Sequence, residues 1–217
     1  MLPITLGPDP HVPLTMLCIG AHCDDIEIGC GGTVLRLLAE HPGSAVHWVV
    51  LASNPRRAEE ARAAAAAFLE GAAHATVEVK TFRESYFPYV GAEIKDYFET
   101  LRTKCEPQLI FTHYHLDRHQ DHRVVSELTW NTFRDHLIAE YEIPKFEGDL
   151  DRANAYVALT RAHADRKVDL LMKHFPSQTS RRWFRAETFH ALMIVRGNEA
   201  VATEGRAEAF HLRKLVL

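Results

Sequence analysis

Residues 15–38 read TMLCIGAHCDDIEIGCGGTVLRLL. Thr15–Gly20 is a short apolar run that closes on a glycine. A polar group, Ala21-His22-Cys23-Asp24-Asp25, follows it, and beyond Gly29–Gly32 comes the apolar-periodic stretch Val34–Leu38. That order predicts a strand, a functional loop and a helix. The same unit then recurs. Ala45–Ala52 (AVHWVVLA) is β-branched and aromatic, and Ser53-Asn54-Pro55 supplies a cap and a first-turn proline for an alanine-rich helix reaching Gly71. Thr76–Phe82 reads as a third strand, Gly91–Cys105 as a helix, and Gln108–Thr112 (QLIFT) as a fourth strand running straight into a histidine-rich segment. Farther on, residues 143–145 read as extended, Arg161–His174 and Trp183–Val195 as helices, and Ala207–Val216 as a last strand. Strands alternating with helices imply an α/β fold, a largely parallel sheet with helices on both faces.

The chain has 217 residues, of which 47% are hydrophobic, which suits one globular domain spanning 1–217. No internal repeat or linker-like stretch divides it. The run Ala63–Ala67 is a close-packed helix rather than low complexity, since alanine is the best helix former. A net charge of −4 supplies no concentrated basic face, which argues against nucleic acid or an anionic membrane as partner. No stretch approaches the roughly 18–20 apolar residues of a transmembrane segment, and no charged start leads into an apolar run. Cys18, Cys23, Cys30 and Cys105 form no C-x-x-C pair and no disulfide framework. The expectation is an unexported, cytoplasmic protein acting on a small or neutral partner.

In a parallel sheet, ligands collect beyond the carboxyl ends of the strands. Two segments fall there: His22-Cys23-Asp24-Asp25 after the first strand, and 113–122 (HYHLDRHQDH) after the fourth. Zinc accepts imidazole nitrogen and carboxylate oxygen, and a catalytic site uses three protein ligands plus water. His22, Asp25 and a histidine of the second segment make such a set, and Asp24 is left over to take a proton from the bound water. Taken singly, an Asp-Asp after a strand is ordinarily a helix cap and an H-x-D-H a surface cluster. Their joint placement at two privileged strand ends favours chemistry.

These segments resemble the signatures of the LmbE-like, or PIG-L, family of zinc-dependent N-acetylglucosaminyl deacetylases: an A-H-P-D-D stretch leading to G-G-T, and a later H-x-D-H. Here they stand as Ala21-His22-Cys23-Asp24-Asp25 with Gly31-Gly32-Thr33, and as His119-Gln120-Asp121-His122. Ser177-Gln178, Arg196-Gly197 and Ala207-Glu208-Ala209-Phe210 look like later landmarks in the same order. The resemblance implies a Rossmann-like three-layer sandwich. It implies that His22, Asp25 and His122 bind the metal, that Asp24 is the general base, and that His119 stabilises the oxyanion, oriented by Asp121. It also makes a homo-oligomer plausible. Zinc is the metal implied, and an N,N,O site also accepts iron(II) or another divalent ion.

Cys23 replaces the family's proline, and two fates are open to it: a thiolate competing for the metal, or a side chain turned into the core, the favoured reading. Arg57, with Arg56, lies on the rim past the second strand and is a candidate grip on substrate, against a solvated first helical turn. Arg118 and Arg123 have the same ambiguity. Tyr86-Phe87-Pro88-Tyr89 reads either as a sugar-stacking wall or as a loop tucked on the core. The implied reaction is removal of an acetyl group from an N-acetylated sugar, as glycan, glycoside or nucleotide sugar. The alternatives are an amidase for another N-acyl thiol-sugar conjugate and, far behind, a nucleotide-binding or non-catalytic module. A phosphate loop at Gly29-Cys30-Gly31-Gly32 lacks the G-x-G-x-x-G spacing, and Asp24, Asp25 and Glu27 before it repel phosphate.

Overall fold

A computed structural model describes residues 12–216. The strands are β1 (Thr15–Gly20), β2 (Ala45–Val50), β3 (His74–Val79), β4 (Leu109–His113), β5 (Leu137–Tyr141), β6 (Ala155–Ala158) and β7 (Ala207–His211). The helices are α1 (Asp25–Glu40), α2 (Pro55–Phe68), α3 (Gly91–Arg102), α4 (Gln120–Thr132), α5 (Arg161–His174) and α6 (Ala186–Ala200). One sheet of order β3-β2-β1-β4-β5-β7-β6 runs through the molecule, parallel from β3 to β5, with β7 antiparallel to both β5 and β6. The chain order reverses between β1 and β4, so the crevice of this Rossmann-like sheet opens beyond Gly20 and His113.

Strand alternation sorts side chains into two cores. Met16, Cys18, Trp48 and Phe111 face α1, α2, α5 and α6 through Ile26, Val34, Phe68, Leu171 and Met193. Leu17, Ile19, Val49 and Ile110 face α3 and α4 through Ile94, Phe98, Leu101 and Val125. The result is the expected three-layer α/β sandwich.

The structure corrects several element bounds. The glycines Gly29, Gly31 and Gly32 are not a loop but lie inside α1. Each is where a partner closes in: a Cβ on Gly29 would sit 2.2 Å from the Tyr141 ring, on Gly31 2.6 Å from Phe68, and on Gly32 2.6 Å from Leu159. A buried ion pair also enters the helix here. Lys167 Nζ donates to the Ile28 carbonyl at 2.6 Å, and Glu208 accepts from the amides of Gly32 and Thr33 at 2.9 and 2.6 Å. Lys167 and Glu208 bond each other at 2.5 Å, so each buried charge is matched.

The alanine-rich helix stops at Phe68, α3 stops at Arg102 before Cys105, α6 is displaced toward the C-terminus, and β7 is shorter than predicted. The elements α4, β5 and β6 add to those the sequence predicts. Cys23 turns inward: it is 2% exposed, and its Sγ donates to the Ala52 carbonyl at 3.3 Å. Burial pushes its thiol up to about 12. Among the described residues no helix is long and apolar enough to cross a membrane.

Candidate metal centre

The first loop is short because α1 begins at Asp25, five residues past Gly20. Asp24 occupies the N-cap position without capping the helix. Its carboxylate turns away, with Oδ1 3.0 Å from the Arg57 guanidinium, while Oδ2 is buried and has no hydrogen-bond partner among the described residues. Asp25 instead closes the loop on itself, its Oδ2 accepting from the His22 amide at 2.7 Å. The second loop leads from β4 into α4, whose N-cap is His119. This puts His122 on the first turn of that helix, facing the first loop.

Three atoms from the two loops converge. His22 Nδ1 is 3.2 Å from Asp25 Oδ2 and 3.2 Å from His122 Nε2, and the third side of the triangle, His122 Nε2 to Asp25 Oδ2, is 3.5 Å. Ligand atoms held tetrahedrally by one zinc at about 2.0–2.1 Å stand roughly 3.3 Å apart. The triangle therefore fits a metal of that size. His119 and His113 flank it: His22, His119 and His122 make one group of ligand atoms within 4.8 Å of one another, and Asp25, His113 and His122 make a second.

Both imidazoles of the triangle have a carboxylate on the nitrogen that faces away from it. His22 Nε2 lies 3.2 Å from Asp121 Oδ2, and His122 Nδ1 lies 2.9 Å from Asp117 Oδ2. Such partners fix the tautomer and ring orientation of a metal-binding histidine. Asp121 is held by the amides of Ser85 and Phe87 at 2.6 and 3.1 Å, and Asp117 by Lys145 at 2.9 Å. The expectation that Asp121 orients His119 meets a different geometry. The Asp121 carboxylate faces His22, and among the described residues the His119 ring receives only the Asp121 backbone N–H, on Nδ1 at 3.2 Å. Neutral His119 then carries its proton on Nε2.

The electrostatics call for a cation. Burial disfavours charge on His22, but Asp25 and Asp121 outweigh it and raise the imidazole to about 10. Burial and then the neighbouring His113 push His122 down to about 3, which leaves it neutral. Burial opposes ionisation of Asp25, yet His122, His22 and His113 hold its carboxyl well below the usual range. Burial also raises the Asp24 carboxyl, against the pull of Arg57. A proton on His22 thus serves as the positive charge that a metal at the triangle would supply.

The sequence assigns no role to His113 and Asp117 of the second segment. His113 is fully buried. Its Nε2 accepts from the Ala21 amide at 3.0 Å and lies 3.1 Å from Asp25 Oδ2, so it ties the end of β4 to the first loop. Its position as the last residue of a parallel strand was the available signal. The centre opens into a cleft of about 300 Å³ lined by Asp24, Arg57, His119, Phe146, Gln178 and Trp183. The stretch from Tyr86 to Tyr89 does not line it: Phe87 is buried, with its ring 6.3 Å from that of His22, and Tyr89 is 77% exposed. Arg56 is solvated, and Arg123 is engaged by the carbonyls of Asp117 and Arg118. A larger hollow of about 600 Å³ between α3 and α4, lined by Lys95, Glu99 and Arg134 among others, contains neither ligand-atom group.

The pattern of PIG-L, described as GlcNAc-PI de-N-acetylase, matches residues 17–133, more than half of the chain and both loops of the centre. The chain belongs to the PIG-L family. Solved structures agree on the fold. The chain is similar to a conserved protein of Thermus thermophilus (TM-score 0.72, 22% identity, 94% of this chain and 96% of that one). It is similar also to the N,N'-diacetylchitobiose deacetylase of Pyrococcus horikoshii (0.65, 18%, 91% and 83%) and to a 4-carboxy-2-hydroxymuconate hydratase of Pseudomonas putida (0.71, 16%, 94% and 98%). A PIG-L fold thus accompanies both deacetylase and hydratase descriptions, and the chemistry of this member has to be argued from its site.

Proposed function

We propose that the protein is a metal-dependent N-deacetylase that hydrolyses the acetamide of an N-acetylated, N-acetylglucosamine-type sugar to acetate and a free amine. The observation that carries this reading is the ligand triangle of His22, Asp25 and His122 beside a buried carboxylate oxygen, Asp24 Oδ2, that has no hydrogen-bond partner among the described residues. Family membership supports amide hydrolysis over the hydration chemistry named for one structural neighbour.

His22 Nδ1, Asp25 Oδ2 and His122 Nε2 would hold the metal, zinc or another divalent ion. Such an ion supplies Lewis acidity and lowers the pKa of water toward about 7. Asp24 Oδ2 then takes the proton of the attacking water, since Oδ1 is already bonded to Arg57. As the acetamide carbon becomes tetrahedral, the Nε2–H of His119 faces the developing oxyanion. A well-placed donor of this kind is worth roughly 3–4 kcal/mol. Asp24, now protonated, hands its proton to the departing amine. Burial, which raises the Asp24 carboxyl, suits a group that must both accept and return a proton. The test is acetate release from N-acetylglucosamine and its glycosides by protein of known metal content, wild type beside His122→Ala. Metal and activity lost together in the variant support the reading. A wild type that binds no zinc or iron(II) refutes it.

A further inference from the structure

Arg57 projects from the first turn of α2 toward the cleft, where the sequence leaves it either a grip for substrate or a solvated first-turn residue. Its guanidinium is instead bound on several sides by the protein. One terminal nitrogen lies 3.0 Å from Asp24 Oδ1. The other donates to Ser177 Oγ at 3.2 Å and stands 3.5 Å from Glu60 Oε2. Glu60 is itself fixed, accepting from the Ser177 amide at 3.0 Å and from the Ser177 hydroxyl at 2.5 Å. The Phe175 ring lies 5.5 Å from the guanidinium carbon. The side chain is only 14% exposed.

We infer that Arg57 is the positioning residue of the general base: it locks Asp24 Oδ1 and thereby presents Oδ2 to the water. The inference rests on the assignment of Asp24 made above. Three observations lead to it. Asp24 stands at an N-cap, where a carboxylate ordinarily turns back to the helix amides, yet it makes no such bond. The group that draws it away is Arg57. Arg57 is in turn held by Glu60 and Ser177, the latter in the 3₁₀ turn Pro176–Gln178 that follows α5. Ser177 lies far outside residues 17–133, so a late segment of the chain sets the orientation of an early catalytic group.

The experiment compares Arg57→Gln, Arg57→Lys and Ser177→Ala with wild type in metal content, kcat, KM and crystal structure. Arg57→Gln is expected to keep its metal and its KM while kcat falls roughly 10²-fold, the loss that a displacement of about 1 Å brings. Arg57→Lys and Ser177→Ala should fall between. Guanidinium ion added to Arg57→Ala should restore part of kcat saturably, which a purely structural defect would not show. In the structure of Arg57→Gln the Asp24 carboxylate should have turned from its wild-type orientation. A raised KM with unchanged kcat would make Arg57 a substrate contact and overturn the inference. So would an unturned Asp24. Absence of any amide turnover by wild type would defeat the deacetylase reading alone, because the Asp24 orientation still decides the role of Arg57.

Discussion

His122 Nδ1 lies 2.9 Å from Asp117 Oδ2, and the opposite nitrogen of the same ring faces His22 and Asp25 across the ligand triangle. One imidazole therefore joins the centre to a carboxylate that Lys145 holds from behind, and Lys145 is also bonded to Asp149 at 2.7 Å. Removing Asp117 leaves Lys145 paired but frees the His122 ring to rotate and change tautomer. Asp117→Ala is expected to weaken metal binding by about 10–100-fold. Competition with a chelator measures this directly, and unchanged affinity would show that His122 needs no such support.

Asp24 is the second test of the centre. It contributes no atom to the triangle, so Asp24→Asn should retain the metal at wild-type stoichiometry. Loss of the base should lower kcat by about 10²–10⁴-fold. Turnover near that of wild type with metal bound would remove Asp24 from its role.

The strand-helix units built on β1 and β2, helix α5 and the two loops of the candidate centre are legible in the sequence, because their periodicity and their turn residues agree. Helix α4 is not. Its first turn, Gln120-Asp121-His122-Arg123, uses polar residues for the centre where an apolar stripe would announce a helix, and only His122 and Asp121 among them are buried. The glycines of α1 mislead for a related reason. In isolation Gly29-Cys30-Gly31-Gly32 looks like a loop, and only the approach of Tyr141, Phe68 and Glu208 from distant elements explains why small residues sit in a helix there. Asp121 does reach the cluster, but which histidine it serves depends on the amides of Ser85 and Phe87 pulling its carboxylate toward His22. No local pattern encodes that pull.

The glycine reading has its own test. A Cβ on Gly29 would meet Tyr141 ring atoms at 2.2, 2.5 and 2.9 Å, and Tyr141 is held in place by its hydroxyl bond to the Ile19 carbonyl at 2.7 Å. Gly29→Ala should lower the unfolding free energy by about 1–3 kcal/mol or more through overpacking. Gly91→Ala, at the start of α3 with none of the described residues within 4 Å of the new Cβ, should be neutral or stabilising by up to about 1 kcal/mol. Urea titration of both variants reads the difference, and equal stabilities would mean that Tyr141 moves aside.

The raised His22 value makes metal binding a proton exchange with a defined direction. Without metal, His22 is protonated up to about 10, against 6.5 for the unperturbed group. Protonated His22 therefore contributes stability to the metal-free protein that is complete below about 6.5 and is lost as pH rises through about 10. A metal needs the neutral imidazole, so at pH 7–9 each ion must displace that proton, whereas His122, already neutral above about 3, releases none. Apparent affinity should then rise at least tenfold per pH unit over this window. Calorimetric titration with zinc in buffers of different ionisation enthalpy should report at least one proton released per ion at pH 8, the His22 proton, with any excess coming from metal-bound water. A pH-independent affinity with no proton release would mean that the metal leaves the His22 proton in place, and His22 would not be a ligand.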